Sequence, residues 1–134
     1  MSDLAQRPRP RPVGSSHWAA VEFCREWMVY LGEEDTVVAQ GATGAICELY
    51  SSRYVALVEN RTGNIEVPLV QRAVVLATSD GRRAVVFHSG GCFGDAAELA
   101  DAYGIALITY MARAGDIAAA NRVAVPICRS YRLP

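Results

Sequence analysis

The sequence predicts an α/β domain in which helices cover both faces of a central mixed sheet. Three apolar runs, Tyr54–Val58, Ala84–His88 and Ile105–Tyr110, have the unbroken hydrophobic character of strands that are buried on both faces. Patterns with helical spacing separate these runs, so we expect the strands to pair in parallel through right-handed crossovers. An upstream pair of strands joined at Ser51-Ser52 adds antiparallel pairing and makes the sheet mixed.

The composition fits one compact domain. The chain has 134 residues, of which 51% are hydrophobic and 20% are charged, and this length is enough to bury a core. Its net charge of -1 gives no global electrostatic case for binding nucleic acid or a membrane. No apolar run is long enough to span a bilayer. The four cysteines are scattered without metal-ligand spacing, so we expect reduced thiols, no zinc site and a cytoplasmic location.

Residues 1–16 are predicted to form a disordered leader rich in arginine and proline. The repeat RPRPRP cannot build a helix, because alternate residues lack an N–H and each proline pushes the preceding arginine toward extended geometry. Two interpretations of Arg7, Arg9 and Arg11 stay open. They bind the narrow minor groove of A·T-rich DNA, where negative potential is concentrated, or the segment is only a soluble extension.

The main domain is predicted to span residues 17–123. Its first helix begins after Ser16, a suitable N-cap, and ends at Gly32. Further elements are predicted in the following order: strands at Thr36–Ala39 and Ala45–Tyr50, the strand Tyr54–Val58, a helix from Ile65 to Leu76 that closes at Asp80-Gly81, and the two remaining apolar strands. After Tyr110 the pattern predicts a short helix over 114–123 and an extended tail over 124–134.

The most specific pattern is the stretch VVFHSGGCFGDAAELADAYGIALITY. It reads as a strand, a Ser-Gly turn, a helix with small residues for packing on a sheet, and a second strand that opens with Gly-Ile. Together with the upstream hairpin, over roughly Trp18 to Asn121, it resembles the Mrr-like branch of the restriction-endonuclease-like nucleases. The resemblance implies a three-layer restriction-endonuclease-like core and, in active members, Mg²⁺-dependent cleavage of DNA.

The resemblance also implies where catalytic residues should stand. Active members carry an acidic residue at the opening of the second strand and a Gln/Glu-x-Lys pair on the third, and their acids hold Mg²⁺. An ungapped comparison puts Cys47 or Glu48 at the acid, Leu57 at the Gln/Glu and Glu59 at the lysine. The chain contains no lysine at all. On this register the metal ligand and the lysine that catalysis requires are replaced by other residues, so no cofactor is expected.

A register shifted by two residues leaves an alternative open. Glu48, Glu59 and Arg61 would then be catalytic, with Glu48 and Glu59 as ligands of Mg²⁺. Glu59 and Arg61 share a strand face by the period of two. Arginine supplies positive charge, but its guanidinium stays protonated and cannot act as a base.

A second polar motif, His88-Ser89-Gly90-Gly91, lies where a strand ends and the next helix begins. Backbone N–H groups at such a place can bind a phosphate, which would make these four residues DNA contacts. The alternative is a loop that needs the torsional freedom of glycine and binds nothing.

Three hypotheses for function follow. The first is a catalytically degenerate nuclease-fold domain that acts as a DNA-associated binding or assembly module. The second is a metal-dependent DNA endonuclease that uses the variant site, and the third is a protein-binding regulator without DNA affinity. Expected partners are double-stranded DNA and a second copy of the chain, because Trp18, Trp27 and Tyr110 offer apolar area for a homodimer. The sequence identifies no other protein partner.

Overall fold

The structure, a computed structural model, describes residues 6–12, 16–61 and 63–134. These residues contain five helices and six strands, in the order α1 (His17–Tyr30), β1 (Val37–Val38), α2 (Gly41–Gly44), β2 (Leu49–Tyr50), β3 (Tyr54–Glu59), α3 (Val67–Asp80), β4 (Arg83–His88), α4 (Gly94–Ala102), β5 (Ala106–Met111), β6 (Asp116–Ala119) and α5 (Ala124–Ser130). All six strands form one sheet and are neighbours in sequence order. Pairing is antiparallel from β1 to β3, parallel from β3 to β5, and antiparallel between β5 and β6. The predicted α/β class with a mixed sheet is confirmed.

Two apolar clusters lie on opposite faces of the sheet. Helices α1 and α5 cover one face, where Trp27, Phe23 and Phe87 belong to one buried apolar cluster. Helices α3 and α4 cover the other face, where Leu57 and Leu107 are buried. Because residues of a strand alternate between the faces, each central strand contributes to both clusters. Helices therefore flank the sheet on both sides, as predicted.

The parallel centre of the sheet also matches the prediction. Strand β3 lies inside the sheet between β2 and β4, and β4 and β5 are parallel neighbours. In β3 the first five residues are all buried, which explains why this run is apolar throughout. The strand predicted over Ala45–Tyr50 is shorter than expected, because Gly41–Gly44 forms the single turn α2 and regular pairing begins only at Leu49.

Helix α1 begins as its sequence predicts. The Ser16 hydroxyl accepts a hydrogen bond from the backbone N–H of Ala19 at 3.2 Å, which satisfies one of the free donors of the first turn. At the other end, Gly32 has a φ of 113°, a value that glycine adopts without strain. The helix therefore ends where a residue with a side chain would be disfavoured.

The helix predicted over residues 114–123 is wrong. Asp116–Ala119 is the edge strand β6, which pairs with β5 across a turn that contains Gly115 at a φ of 64°. The alanines of this segment favour helices intrinsically, and this preference misled the prediction. Pairing with β5 and the burial of Ile117 outweigh that preference.

The extended tail predicted over residues 124–134 is also wrong, because Ala124–Ser130 forms helix α5. The buried Asn121 starts this helix: its Oδ1 accepts from the backbone N–H of Ala124 at 3.2 Å and from that of Leu107 at 3.0 Å. Pro126 falls in the first turn, where a missing N–H costs no helical hydrogen bond. Beyond the helix, the backbone N–H of Leu133 donates to the carbonyl of Leu31 at 2.9 Å.

The predicted disordered leader lies partly outside the described residues, namely at 1–5 and 13–15. For residues 6–12 the prediction of disorder is wrong, since this segment lies against the body of the domain. The backbone N–H of Arg11 donates to the carbonyl of Ala112 at 2.6 Å. Pro8 is buried. Pro10 packs closely on Gly115, because a Cβ on Gly115 would lie 2.9 Å from the ring of Pro10.

The aromatic residues expected at a homodimer interface have different environments. Trp27 and Tyr110 belong to the core and are 0% and 4% exposed, so the prediction is wrong for both. Trp18 is 67% exposed and remains available on the surface. None of the helices within the described residues has the length and apolar character that a membrane crossing requires.

Candidate functional site

A cleft of about 410 Å³ opens at the carboxyl ends of β3 and β4. Its walls come from the loop after β3, the first turn of α3 and the loop that leads into α4. Parallel α/β sheets commonly bind ligands at this edge, because loops and helix N-termini converge there. The cleft is lined by Glu59, Arg61, Gly63, Asn64, Ile65, Glu66, Pro68, Leu69, His88 and Phe93.

Three polar side chains form a row across the strand ends on the face that α3 and α4 cover. The strand register places Glu59 of β3 beside His88 of β4, and His88 beside Thr109 of β5. The Thr109 hydroxyl lies 3.3 Å from Nε2 of His88. The row results from the alternation of side chains along a strand. Glu59, His88 and Thr109 each lie two positions after a residue that is buried under α3 and α4, so all three side chains are on that face.

His88 forms part of the cleft lining although its side chain is 1% exposed. Burial lowers the pKa of His88 from 6.5 to about 4, and a hydrogen bond with the backbone of Gly90 acts in the opposite direction. The ring is therefore neutral at neutral pH. Nδ1 is itself buried, so a molecule in the cleft cannot reach this atom.

Glu59 and Arg61 form an ion pair at the mouth of the cleft. Nε and Nη2 of Arg61 donate to the two carboxylate oxygens of Glu59 at 2.8 and 3.1 Å. The hydrogen bonds to Glu59 raise the pKa of Arg61 above its ordinary value. Because the Arg61 side chain is 80% exposed, the pair is open to solvent and contributes little to stability.

The residues of the ungapped register differ in burial. Cys47 and Leu57 are buried in the apolar cluster under α3 and α4, with exposures of 2% and 1%. Glu59 follows on the same strand face and lines the cleft. With Cys47 at the acid position, the register gives a thiol, an aliphatic side chain and a carboxylate where the resemblance implies an acid, a Gln or Glu, and a lysine; with Glu48 there, the acid is kept and the other two are still changed.

The shifted register depends on Glu48 as well as on the pair of Glu59 and Arg61. Glu48 precedes β2, and its backbone N–H donates to the carbonyl of Ala56 at 3.2 Å. Burial raises the pKa of the Glu48 carboxyl, the backbone of Val58 lowers it, and the negative charge of Glu59 raises it further. Oε2 of Glu48 is buried without a hydrogen-bond partner among the described residues.

The described residues do not form an oxygen shell that suits Mg²⁺. Glu59 is held by Arg61, Glu48 is half-buried, and the neighbouring positions carry Cys47 and Leu57, which offer no oxygen. Over residues 6–12, 16–61 and 63–134, no three side chains of His, Cys, Asp or Glu lie close enough together to hold a metal ion.

The glycines after His88 serve the contact between two loops. A Cβ on Gly90 would lie 1.9 Å from the carbonyl oxygen of Gly63, and a Cβ on Gly91 would lie 2.4 Å from Oδ1 of Asn64. The backbone N–H of Ile65 donates to the carbonyl of Gly91 at 2.9 Å, which ties the loop after β3 to the loop after β4. The structure therefore supplies a packing reason for both glycines.

As phosphate contacts, the four residues of the His88–Gly91 motif differ in accessibility. His88 is buried, so its ring cannot reach a phosphate at the surface. Ser89 is exposed, and its hydroxyl donates to the carbonyl of Arg61 at 3.3 Å. Gly91 is exposed as well, whereas Gly90 is partly covered by the opposite loop.

Two of the three arginines in the N-terminal segment are engaged by the domain. Arg7 lies 5.6 Å from the Trp27 ring and 5.1 Å from the Tyr131 ring, and its Nη2 is 2.9 Å from Oδ1 of Asp116.

Arg11 pairs with Glu26 and lies 5.6 Å from the Phe23 ring. Arg9 is exposed between them, and only its backbone carbonyl is used, as an acceptor for Arg11 at 3.0 Å. Arg9 is therefore the arginine of the segment whose charge faces solvent.

No protein-family model, no curated protein and no solved structure matches this chain. The cleft is defined by its geometry alone. Sequence reasoning singled out Glu59, Arg61 and His88, and it missed Asn64, Phe93 and Thr109. Thr109 could have been found, because it closes a predicted buried strand at the same edge as His88. Asn64 and Phe93 lie in loops, where no periodicity indicates the direction of a side chain.

Proposed function

We propose that this chain is a catalytically degenerate nuclease-fold domain that acts as a DNA-associated binding or assembly module. One observation carries the proposal: Leu57 is buried in an apolar cluster and Glu59 lines the cleft, where the resemblance implies a Gln or Glu and a lysine, while the position of the upstream acid falls on Cys47 or Glu48. Cys47 and Leu57 are buried in an apolar cluster, so they contribute to stability and offer no oxygen ligand for Mg²⁺.

The topology supports the finer fold assignment within this proposal. A helix precedes three antiparallel strands, and a crossover helix then leads to a parallel strand beside the third. This order agrees with the restriction-endonuclease-like core that the resemblance implies. The fold alone does not carry the function, so the proposal depends on the residues at the cleft.

Cleavage of plasmid DNA tests the loss of catalysis. In Mg²⁺ or Mn²⁺ we expect supercoiled plasmid to stay intact, because no lysine is present and Glu59 is neutralised by Arg61. Nicking that disappears in Glu59→Ala, with the fold retained in circular dichroism, would establish the endonuclease alternative based on Glu48, Glu59 and Arg61. Nicking that Glu59→Ala leaves unchanged would point to a contaminating nuclease.

Binding of duplex DNA tests the association. Arg9 is the exposed cation of the N-terminal segment, so Arg9→Ala should lower the slope of log K against log salt by roughly 0.9 for the lost phosphate contact. Arg122→Ala, at an exposed position on the loop before α5, is the control and should leave the slope unchanged.

The protein-binding regulator is the second candidate, and a specific observation favours it. Arg7 and Arg11 are held by Asp116 and Glu26, which removes two of the three charges that the segment would offer to a phosphate backbone. Absence of duplex binding at low salt by the folded protein would reject the DNA association in favour of this candidate.

A further inference from the structure

Three aromatic rings form a cluster on the face of the sheet that α1 and α5 cover. Trp27 and Tyr30 belong to α1, and Tyr131 follows directly after α5. The centroids of the Trp27 and Tyr131 rings lie 5.8 Å apart, and the Tyr30 centroid lies 5.6 Å from Trp27 and 5.9 Å from Tyr131. The guanidinium of Arg7 lies over the Trp27 and Tyr131 rings. The cluster therefore acts as a binding surface for a cation.

Hydrogen-bond acceptors around the cluster match all three nitrogens of the Arg7 guanidinium. Nε donates to the carbonyl of Gly115 at 3.4 Å, and Nη1 donates to the Tyr131 hydroxyl at 3.3 Å. Nη2 lies 2.9 Å from Oδ1 of Asp116. The Tyr131 hydroxyl also donates to Oδ1 of Asp116 at 3.2 Å, which fixes the carboxylate. A planar guanidinium presents its donors in this spread, whereas an ammonium is a point charge, so the site fits arginine better than lysine.

Tyr131 has a backbone conformation that is more typical of glycine. It is the C-cap of α5, with a φ of 53°. A residue with a side chain adopts this left-handed conformation at a cost, which only its surroundings can offset. Glycine would end the helix without this cost and would remove the ring. The contacts of the ring with Trp27, Tyr30 and Arg7 supply a reason for tyrosine at this helix end.

A second arginine position lies further along the same surface. Arg11 pairs with Glu26 of α1, and its guanidinium lies 5.6 Å from the Phe23 ring. Between the two arginines, Pro10 lies so close to Gly115 that no side chain could be placed there. The surface therefore recognises two arginines four positions apart, with proline between them. We call it the arginine groove, and it is formed by Phe23, Glu26, Trp27, Gly115, Asp116 and Tyr131.

We propose that the arginine groove is a docking site for an arginine- and proline-rich peptide of a partner protein, and that residues 6–12 occupy it as an intramolecular competitor. Complementary charge supports this occupant, because the carboxylates of Asp116 and Glu26 face the two guanidinium groups. Aromatic grooves commonly bind proline-rich segments, whose restricted backbone loses little entropy on binding. The inference does not rest on the DNA association proposed above.

The segment can be exchanged for a partner because its anchors stay partly in water. The side chains of Arg7 and Arg11 are 43% and 28% exposed, so neither ion pair holds the segment strongly. A partner binds only those molecules whose groove is open, and its apparent affinity is lowered by that fraction. The segment therefore sets the affinity that a partner peptide must have.

A peptide titration of the full chain tests the competition. The double variant Arg7→Ala/Arg11→Ala removes both anchors of the segment and leaves every residue of the groove in place. The probe is a fluorescent synthetic peptide with the sequence of residues 6–12, followed by its anisotropy. We expect saturable binding to the double variant. Binding to the unchanged protein should be at least about tenfold weaker, because its groove is occupied.

Two altered peptides of equal charge separate docking from general attraction between charges. Alanine in place of the arginine that corresponds to Arg9 should leave binding unchanged, because Arg9 faces solvent. Alanine in place of the arginine that corresponds to Arg7 should weaken binding by about fivefold, since it removes the ring contacts and the ion pair with Asp116.

Asp116→Asn, added to the double variant, tests the groove itself. It keeps the shape of the side chain and removes its charge, so peptide binding should weaken by about fivefold. Asp95→Asn in the same background is the matched control, because Asp95 is exposed in the first turn of α4, on the opposite face of the sheet. The control should bind the peptide as the double variant does.

Four results would overturn the inference. The peptide does not saturate the double variant, the two altered peptides bind alike, or the double variant and the unchanged protein bind alike. The fourth concerns the source of the peptide. Dimers of the unchanged protein that form with rising concentration, and that the double variant does not form, would identify the segment of a second copy as the occupant and reject a separate partner.

Discussion

At the scale of single residues, His88 links burial to protonation. The ring lies between Thr109 and the cleft, and the fold keeps it neutral by withdrawing it from water. A charged imidazole at this place would have to be desolvated within an apolar cluster that contains Leu107 and Val86. The burial of His88 therefore makes the stability of the domain sensitive to pH.

The pH dependence of unfolding tests this property of His88. Its folded-state pKa of about 4 lies below the ordinary 6.5, so between these values the unfolded chain binds a proton that the folded chain does not. The free energy of unfolding should therefore fall as the pH falls from about 6.5 to about 4, by at most about 3 kcal/mol. Chemical denaturation of His88→Gln at several pH values should show a flatter profile over this window.

His17→Gln is the matched control, since His17 is exposed at the start of α1 and these two are the only histidines. Its profile should follow that of the unchanged protein. Equal profiles for all three proteins would mean that His88 does not stay neutral in the folded state. Carboxyl groups titrate in all three alike, so the differences between the profiles isolate His88.

At the scale of elements, the parallel pair β3 and β4 positions the cleft through the loops that follow it. The loops touch at Gly63 and Gly90, and a backbone hydrogen bond from Ile65 to Gly91 holds them together. Since Asn64 lies within this contact, the loop contact determines where one wall of the cleft stands. Glycine is needed at Gly90 for close approach of two backbones and not for an unusual torsion angle.

Gly90→Ala should destabilise the domain by about 3 kcal/mol, the upper range for overpacking, because the new methyl group meets backbone that cannot move away. Gly94→Ala is the control, since nothing lies within 4 Å of its added Cβ and it opens α4. Thermal unfolding of the two variants should show a loss of several degrees for the first and almost none for the second. Equal melting temperatures would contradict the loop contact.

The sequence predicted those elements whose local residue pattern matches their burial in the folded domain. The runs in β3, β4 and β5 are apolar on both faces, and only burial within a sheet explains such runs, so the centre of the fold could be predicted. Strand β6 and helix α5 could not, because their alanines and Pro126 carry local preferences that tertiary contacts overrule. Asn121 decides where α5 begins, and its three hydrogen bonds connect segments that are distant in sequence.

At the scale of the whole molecule, the described N-terminal segment, residues 6–12, contacts β6 and the end of α5 on the face that α1 and α5 cover. Arg7 lies against the rings of Trp27 and Tyr131 and pairs with Asp116 of β6. Residues that are 108 or more positions apart are thus in contact. The repeat of arginine and proline predicted disorder because it lacks helix and strand propensity, but an extended segment needs neither when side-chain contacts hold it.

The candidate site, like the fold, could be predicted from the sequence only in part. Glu59, Arg61 and His88 stand at the ends of recognisable strands, so their position at one edge of the sheet followed from the order of elements. The ion pair between Glu59 and Arg61, the neutral state of His88 and the position of Phe93 depend on burial and loop geometry. No sequence pattern encodes these properties, and contacts across the sheet establish them.

Truncation of Arg7 tests the attachment of the N-terminal segment. Arg7→Ala removes two cation–π contacts and one half-exposed ion pair, and together these should contribute about 1 kcal/mol to stability. The melting temperature should fall by about 3 °C, and protease sensitivity within residues 6–12 should rise.

Arg9→Ala is the matched control, because Arg9 belongs to the same repeat and its side chain faces solvent. A melting temperature and a proteolysis pattern that are the same for both variants would mean that the segment is not held by the domain in solution. A fall for Arg7→Ala alone would show that this segment is part of the folded domain, because only the contacts of Arg7 with Trp27, Tyr131 and Asp116 distinguish the two variants.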